Sequence, residues 1–354
     1  MTTAFDPIDL SGTQLANRVA MAPMTRSRAF GPGNSPTAST VEYYAQRASA
    51  GLLITEAIQP SVIGQGYPDT PGLHSQEQID AWRQVTDAVH AAGGRIFAQL
   101  MHGGRIGHPD LLPEGLVPVG VSPVAAPGQV YLHGGPKDYV TPRELTSDEI
   151  RATVADFVSA ARNAIEAGFD GVELHGANGY LIHQFLAPNT NLRTDEWGGS
   201  VEGRIRFAVE VTRAVAAEIG AARTGIRISP AIGLLGTEEP DPEPTYTALV
   251  QELEPLGLGY LSLIENTREF AQTVRKIYSG TLVLTAKTEN GTGAEALKAI
   301  EDGTADLITF GRLFLANPDL PARLKAGGPY NTADPSTFFG GDDHGYIDYP
   351  ALEG

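Results

Sequence analysis

Eight short apolar segments alternate with longer segments of helical periodicity along the 354-residue chain. Strands that are apolar on both faces are typical of a parallel sheet, in which a crossover, usually a helix, follows each strand. The alternation therefore predicts βα units around a parallel sheet. The predicted strands are residues 19–23, 52–58, 95–102, 171–177, 224–230, 259–265, 281–287 and 307–312.

The segments between these strands predict one helix after each strand. Thr146 and Glu149 have the spacing of a capping box, which places a helix start before the apolar run that follows. Eight units in strict alternation favour a closed (β/α)8 barrel, the TIM barrel, over an open doubly wound sheet, which usually has a glycine fingerprint at its first turn. We predict a single barrel domain over residues 1–354. The predicted helices are 41–49, 76–91, 147–167, 200–219, 245–256, 268–277, 292–302 and 318–326.

Two segments do not fit the repeat. Residues 103–143 separate the third strand from its helix and are rich in Pro, Gly and Val. Loops of this length usually have a function or structure of their own, so we expect a lid or wall over the barrel mouth. Residues 335–354 contain FFGGDDHGYIDYP, and this aromatic content predicts a tail that folds back onto the barrel.

Composition excludes several classes of protein. The formal net charge of −17 disfavours binding to nucleic acid or anionic lipid. The absence of cysteine excludes disulfides, thiolate nucleophiles and cysteine-ligated metal sites. No stretch approaches the roughly 20 apolar residues that span a bilayer, and residues 1–10 do not have the pattern of a signal peptide. We therefore expect a cytoplasmic protein with no membrane and no nucleic-acid partner.

The chemistry of such a barrel lies at the carboxyl ends of its strands. The residues there are polar, mostly neutral and partly cationic, without the paired acids of a glycosidase or the clustered ligands of a metal site. They suit a flat, anionic ligand that forms hydrogen bonds. The strand-end residues are Pro23, Met24, Thr25, Ala57, Gln99, His102, His175, Asn178, Arg227, Lys287, Gly311 and Arg312.

The strongest local constellation is His175, Asn178 and Tyr180 in the segment HGANGY. Two donors that converge on one point can polarise a carbonyl or nitro oxygen, and a phenol beside them can act as a general acid. The alternative is a structural histidine and an ordinary core tyrosine. Arg227, inside a buried strand, requires either a carboxylate partner in the barrel or an anionic ligand, and the sequence leaves both open.

Three further features indicate phosphate or amine chemistry. Gly311 and Arg312 follow the eighth strand, where barrels commonly bind phosphate. The segment 291–296 formally matches G-x-G-x-x-A, but it lies in the seventh βα loop rather than at the start of a dinucleotide fold. Lys287 is better interpreted as a solvated or phosphate-facing cation than as the Schiff-base lysine of a barrel lyase, which is an alternative. A barrel that binds a phosphorylated ligand without turnover is another alternative.

Six segments carry a resemblance to a known family and together cover essentially the whole chain. They are AMAPMTRSRA (20–29), EYYAQRASAGLLITEA (42–57), GYPDTPGLHS (66–75), GFDGVELHGANGYLIHQFLAPNTNLRTDEWGGSVEGRIRF (168–207), FGRLFLANPDL (310–320) and GYIDYP (345–350). With these segments the chain resembles the old yellow enzyme family, and more closely its bacterial branch of N-ethylmaleimide and pentaerythritol tetranitrate reductases.

The resemblance implies a tightly but noncovalently bound FMN at the barrel mouth, with NADPH or NADH as hydride donor. Thr25 would then contact the flavin O4 edge, Gln99 the pyrimidine edge and Arg227 the negative N1/O2 edge. Arg312 and the Gly311 amide would bind the phosphate. Backbone groups of three further residues would contact the ring: Pro23, Met24 and Ala57.

For the substrate, the resemblance implies an activated alkene such as an enone, enal, maleimide or nitroalkene, with nitro compounds and nitrate esters as further substrates. His175 and Asn178 would hold its oxygen. Tyr180 would protonate the carbon alpha to that group after flavin N5 delivers hydride to the beta carbon. The implied cleft residues are Tyr67, Met101 and Tyr346. Family members occur as monomers and homodimers, and the sequence does not choose between them.

The chain departs from the family pattern at three places. Asn178 replaces the second histidine of many bacterial relatives, a variant also found in the family. Met101 replaces a tryptophan that many relatives have, which predicts a more flexible pocket wall. Residues 284–291 stand where relatives usually have a short glycine-rich turn, so the phosphate contacts of the seventh loop (284–293) are left unassigned. Thr25, rather than cysteine, places the chain outside the thermophilic-like branch.

Overall fold

A closed barrel of eight parallel strands forms the centre of the computed structural model, which describes residues 2–113, 115–288 and 292–352. Each strand pairs with the next one along the chain, and β8 pairs with β1 through Ile308 and Val19. The predicted (β/α)8 fold is confirmed. The strands are β1 (Val19–Met21), β2 (Leu52–Ile58), β3 (Ile96–Leu100), β4 (Gly171–Gly176), β5 (Thr224–Ile228), β6 (Tyr260–Ile264), β7 (Leu282–Thr285) and β8 (Leu307–Phe310).

Apolar side chains fill the lower half of the barrel. A hairpin of Ile8–Leu10 and Thr13–Leu15 contributes Leu10 and Leu15 to an interior cluster that includes Phe97. Burial of these side chains stabilises the barrel by roughly 25 cal/mol per Å² of apolar surface that is removed from water. The interior is therefore packed below, and polar groups are confined to the carboxyl-terminal mouth.

The helices surround the barrel largely where the periodicity predicts them. The capping box of Thr146 and Glu149 is present at the start of α3, with both reciprocal hydrogen bonds formed. Residues 292–302, predicted as one helix, instead form a 3-10 turn (Ala294–Leu297) followed by a single turn of α-helix. The helices are α1 (Ala38–Ala45), α2 (Gln76–Ala91), α3 (Ser147–Glu166), α4 (Leu181–Leu186), α5 (Val201–Ile219), α6 (Glu243–Leu253), α7 (Arg268–Ile277), α8 (Lys298–Glu301), α9 (Arg312–Ala316) and α10 (Leu320–Ala326).

The segment 103–143 has structure of its own, as expected for an insertion of this length. Gln129–Leu132 and Gly135–Asp138 form an antiparallel hairpin, which we call the insertion hairpin. The short strand Val119–Gly120 pairs in parallel with Arg143–Glu144 at the end of the insertion. This second pairing ties the base of the insertion together and leaves the hairpin to project over the barrel mouth.

The carboxyl-terminal tail folds back onto the barrel, which confirms the prediction for residues 335–352. Its Tyr346 is fully buried and stacks on Tyr43 of α1 at a centroid distance of 4.3 Å. The buried Arg26 donates from Nε to the Phe338 carbonyl at 3.0 Å and from Nη2 to the Gly345 carbonyl at 3.0 Å. Arg26 also lies over the Tyr346 ring at 5.0 Å. The loop after β1 and the tail therefore stabilise each other.

We predict that Tyr346→Ala lowers the free energy of unfolding by about 3–5 kcal/mol, because it removes a fully buried aromatic ring and leaves a cavity. Tyr346→Phe keeps the ring and its stack on Tyr43, so we expect a loss below about 1.5 kcal/mol. Equilibrium unfolding in urea measures both. Equal losses in the two variants would show that the stacked ring is not what anchors the tail.

Candidate active site

A cleft of about 770 Å³ opens at the carboxyl-terminal mouth of the barrel. The insertion hairpin forms one wall, as the sequence predicts for the insertion. The loops after β1 and β2, the start of α4 and the tail form the rest. The lining residues are Thr25, Ser27, Tyr67, Pro68, Asp69, Gln129, Val130, Tyr131, Leu132, His133, Tyr180, Phe339 and Gly340.

His175 and Asn178 lie together where β4 ends. Asn178 adopts a left-handed backbone conformation with φ of 58°, which turns the chain sharply. Its backbone N–H donates to Ser229 Oγ at 2.8 Å. His175 Nδ1 and Asn178 Oδ1 are buried and accept or donate no hydrogen bond among the residues that the structure describes. Burial, and then the nearby charge of Arg227, lower the pKa of His175 well below its usual range. The imidazole is therefore neutral.

Tyr180 is the residue that precedes α4, and its ring lies 5.0 Å from the His175 ring. Its hydroxyl is 3.1 Å from the hydroxyl of Tyr67, a residue of the loop after β2. Burial raises the pKa of Tyr180 to about 12, although the hydrogen bond with Tyr67 acts in the opposite direction. The phenol keeps its proton at neutral pH and faces the cleft, which is the state that a general acid requires.

A buried polar layer lies beneath His175, and its centre is Glu173. The carboxylate accepts from Gln99 Nε2 at 2.8 Å and from the Tyr260 hydroxyl at 3.0 Å. The carboxylate also lies near Arg227. Burial lowers the pKa of Arg227, and the interaction with Glu173 raises it. Sequence reasoning missed Glu173. A single acid between Val172 and Leu174 in a buried strand is the signal that could have identified it, because an unpaired buried carboxylate is costly.

Arg227 lies near a carboxylate in the barrel, which is one of the two partners that the sequence left open. Its Nη2 donates to Thr285 Oγ1 at 3.1 Å, and Glu173 supplies a compensating charge without a direct ion pair in the described part of the chain. Arg227 Nε and Nη1 are nevertheless buried without a hydrogen-bond partner there. Two unpaired donors on a buried cation fit the negatively charged edge of a flat ligand.

The remaining predicted ligand contacts lie at the carboxyl ends of β1, β2, β3 and β8. Gln99 donates its amide nitrogen to Glu173, so its amide oxygen is the atom left for a ligand. Ala57 in β2 is the register partner of Gln99. A side chain built on Gly311 would come within 3.7 Å of Met24 Sδ, so the ends of β8 and β1 meet. The other predicted contacts at these ends are the partly buried Pro23 and Thr25 and the exposed Arg312.

Two of the predicted cleft residues have other positions. Tyr346 does not line the cleft, because it is packed against Tyr43 and has no exposed surface. The prediction for Tyr346 is therefore wrong, and Phe339, which is 68% exposed and lines the cleft, takes that place in the tail. Met101 is 3% exposed and is not among the lining residues, whereas Tyr67 is.

Other chemistries considered from the sequence gain little support. Lys287 is exposed at the rim, where its Nζ lies 3.4 Å from the Asn266 carbonyl, so it has no enclosed pocket for a Schiff base. Gly291 of the glycine-rich segment lies outside the described residues, as do residues 289 and 290 of the unassigned phosphate loop. Within the described ranges there is no cluster of His, Cys, Asp and Glu that could hold a metal ion. Nor do those ranges contain a helix long and apolar enough to cross a membrane.

Comparisons with known proteins agree with this geometry. The model of the NADH:flavin oxidoreductase / NADH oxidase family matches residues 3–331. The 12-oxophytodienoate reductase 1 of Oryza sativa subsp. japonica is 45% identical over 98% of this chain and 92% of its own length. Morphinone reductase in complex with tetrahydroNAD has a TM-score of 0.94 and 43% identity, covering 100% of this chain and 98% of that one.

A second solved structure leads to the same family. The old yellow enzyme homologue of Zymomonas mobilis has a TM-score of 0.95 and 41% identity, covering 99% of this chain and 100% of that chain. Identity above 40% over nearly full length, together with the shared barrel fold, confirms the resemblance seen in the sequence. The chain belongs to the old yellow enzyme family of flavin-dependent oxidoreductases.

Proposed function

We propose that this protein is an FMN-dependent NAD(P)H oxidoreductase that reduces the activated C=C bonds of enones, enals, maleimides and nitroalkenes, with nitro compounds and nitrate esters as further substrates. The position of His175 and Asn178 at the end of β4, beside the Tyr180 phenol that lines the cleft, carries the proposal. These groups supply two neutral donors and one acid, which is what reduction beside a carbonyl or nitro group requires.

The residues at the mouth fit FMN. Among the described residues, Arg227 Nε and Nη1 have no hydrogen-bond partner, so both would donate to the negatively charged edge of the isoalloxazine. Gln99 uses its amide nitrogen on Glu173, so its amide oxygen would accept from a ring N–H. The Thr25 hydroxyl would bind the O4 edge, and Gly311 with Arg312 would bind the phosphate. Backbone groups of Pro23, Met24 and Ala57 would contact the ring. Bound at this site, FMN would supply the hydride chemistry, with NADH or NADPH as the donor and the beta carbon of the alkene as the acceptor.

The chain's own residues orient the substrate and control the proton. His175 and Asn178 would hold the substrate oxygen, and as neutral donors they stabilise the negative charge that develops there without becoming acids themselves. Tyr180 would give its proton to the alpha carbon. The hydroxyl of Tyr67, 3.1 Å away, would then donate to the phenolate that remains. Tyr67 and Phe339 would line the substrate side of the cleft.

The decisive experiment is stopped-flow spectroscopy of the two half-reactions. We expect the purified protein to be yellow and to bleach anaerobically with NADH or NADPH. Addition of an enone, a maleimide or a nitroalkene should restore the colour. A protein that is colourless and cannot be reconstituted with FMN, or one that no nicotinamide bleaches, would refute the proposed function.

Tyr180→Phe should slow reoxidation by an enone by about 10²–10⁴-fold, because it removes the proton donor. Reduction of the flavin by NADH should change little, since that step needs no proton from the phenol. The enone step of the parent protein should be independent of pH between about 6 and 9, because the pKa of Tyr180 is raised to about 12. Equal slowing of both half-reactions would exclude Tyr180 as the acid.

Asn178→Ala should weaken enone binding by about tenfold, the loss of one buried hydrogen bond, while FMN content stays unchanged. Alanine is strained at the φ of 58° found here, so Asn178→Gly is the matched variant that removes the side chain without strain. We expect the two variants to bind enones equally and to differ only in stability. Loss of FMN from Asn178→Gly would show that Asn178 belongs to the cofactor site.

The flavin contacts are tested by titrating the apoprotein with FMN and with riboflavin, which lacks the phosphate. Arg227→Met should weaken both ligands by at least about tenfold, because the two ligands share the ring edge that Arg227 faces. Arg312→Ala should weaken FMN alone. If Arg312→Ala affected riboflavin as strongly as FMN, the phosphate assignment would be wrong.

A further inference from the structure

The segment that carries the proposed donors is held by side chains from α4. Gly179 lies between Asn178 and Tyr180 and has a φ of 87°. Its amide donates to His183 Nδ1 at 2.9 Å, and its carbonyl accepts from Gln184 Nε2 at 2.8 Å. Both side chains are fully buried. The peptide groups on either side of Gly179 therefore cannot rotate without breaking a buried hydrogen bond.

The contact with Gly179 fixes the tautomer of His183. Since Nδ1 accepts a hydrogen bond, the ring proton of the neutral imidazole is on Nε2. That atom lies 3.1 Å from Glu239 Oε2, and the two side chains are 0% and 3% exposed. This contact places the Nε2 N–H beside the Glu239 carboxylate. Burial raises the pKa of Glu239, but His183 and the Ala231 amide outweigh that effect and the pKa is lowered.

Glu239 belongs to the loop that follows β5, and this loop packs directly on Gly179. Glu239 Oε2 also accepts from the amide of Ala231, a non-glycine residue with a φ of 53°. A Cβ on Gly179 would lie 2.8 Å from the Leu234 carbonyl oxygen of the same loop. The Glu239 carboxylate therefore stabilises the conformation of the loop after β5. The His183 imidazole holds Gly179 against that loop.

We propose that His183 and Glu239 are positioning residues, which set the direction in which Asn178 and Tyr180 face the cleft by fixing the Gly179 peptide against the loop after β5. The inference rests on the proposed function for its catalytic consequence, but the structural lock is independent of it. His183 contacts the Gly179 amide and Glu239 contacts the Ala231 amide, so both side chains act on the segment through its backbone.

Two substitutions of His183 separate its two contacts. His183→Asn can place an amide oxygen near the Nδ1 position and keep the acceptor for Gly179. His183→Gln can place a donor near the Nε2 position and keep the contact with Glu239, but it loses the acceptor. We therefore expect faster hydrogen exchange in the peptide 176–181 for His183→Gln than for His183→Asn. Mass spectrometry of the holoenzyme measures this without reference to turnover.

The catalytic consequence is tested by a mutant cycle. His183→Gln should slow reoxidation by an enone by at least about tenfold, because small displacements of reacting groups are costly. In a background of Asn178→Gly with Tyr180→Phe, the same substitution should cost less than about twofold, since the groups it positions are gone. Glu239→Gln, which keeps an oxygen for the Ala231 amide, should show the same pattern with a smaller effect.

His90→Gln is the matched control, because His90 forms a 2.9 Å contact with Asp170 far from the segment. It should leave exchange in 176–181 and both half-reactions unchanged. Unchanged exchange in His183→Gln, or the same tenfold loss in both backgrounds, would overturn the positioning role. A parent protein that reduces no alkene would instead refute the proposed function, and the exchange result would still decide whether His183 locks Gly179.

Discussion

Pairing of β8 with β1 is the constraint on which the rest of the molecule depends. It closes the sheet, so the strands are buried on both faces and a polar side chain without a partner is costly there. The hairpin at residues 8–15 fills one end with apolar groups. The other end therefore contains the polar and charged side chains of Glu173, Arg227 and His175. The site lies at this end because the barrel can accommodate charged groups there.

The periodicity of the sequence predicted the repeating strands and helices of the barrel. All eight strands formed within a few residues of their expected bounds, because continuous apolar runs between helical segments have few other solutions. α4 and α9 were not predicted. They have six and five residues, too few to establish a 3.6-residue period, and α4 is buried on all sides. Short helices that depend on tertiary contacts produce little periodicity in the sequence.

The sequence predicted the site residues at the strand ends better than those in the loops. His175, Asn178 and Tyr180 come together because they follow one strand, and the turn at Asn178 is local. The family resemblance placed Tyr346 in the cleft, but Phe339 of the same tail lines it instead. Only the stack on Tyr43 and the cation contacts of Arg26 decide which is buried. Such contacts join residues about 300 positions apart, and no spacing reveals them.

The electrostatics explain why the proton is assigned to Tyr180 rather than to His175. A neutral imidazole beside Arg227 can donate a hydrogen bond, but loss of its proton would leave an imidazolate. Protonation to imidazolium is opposed by burial and by the same arginine. Tyr180 has a pKa of about 12 and a second hydroxyl 3.1 Å away to stabilise its phenolate. Glu173 limits the cost of burying Arg227, so the cation can face a flavin while the groups above it stay neutral.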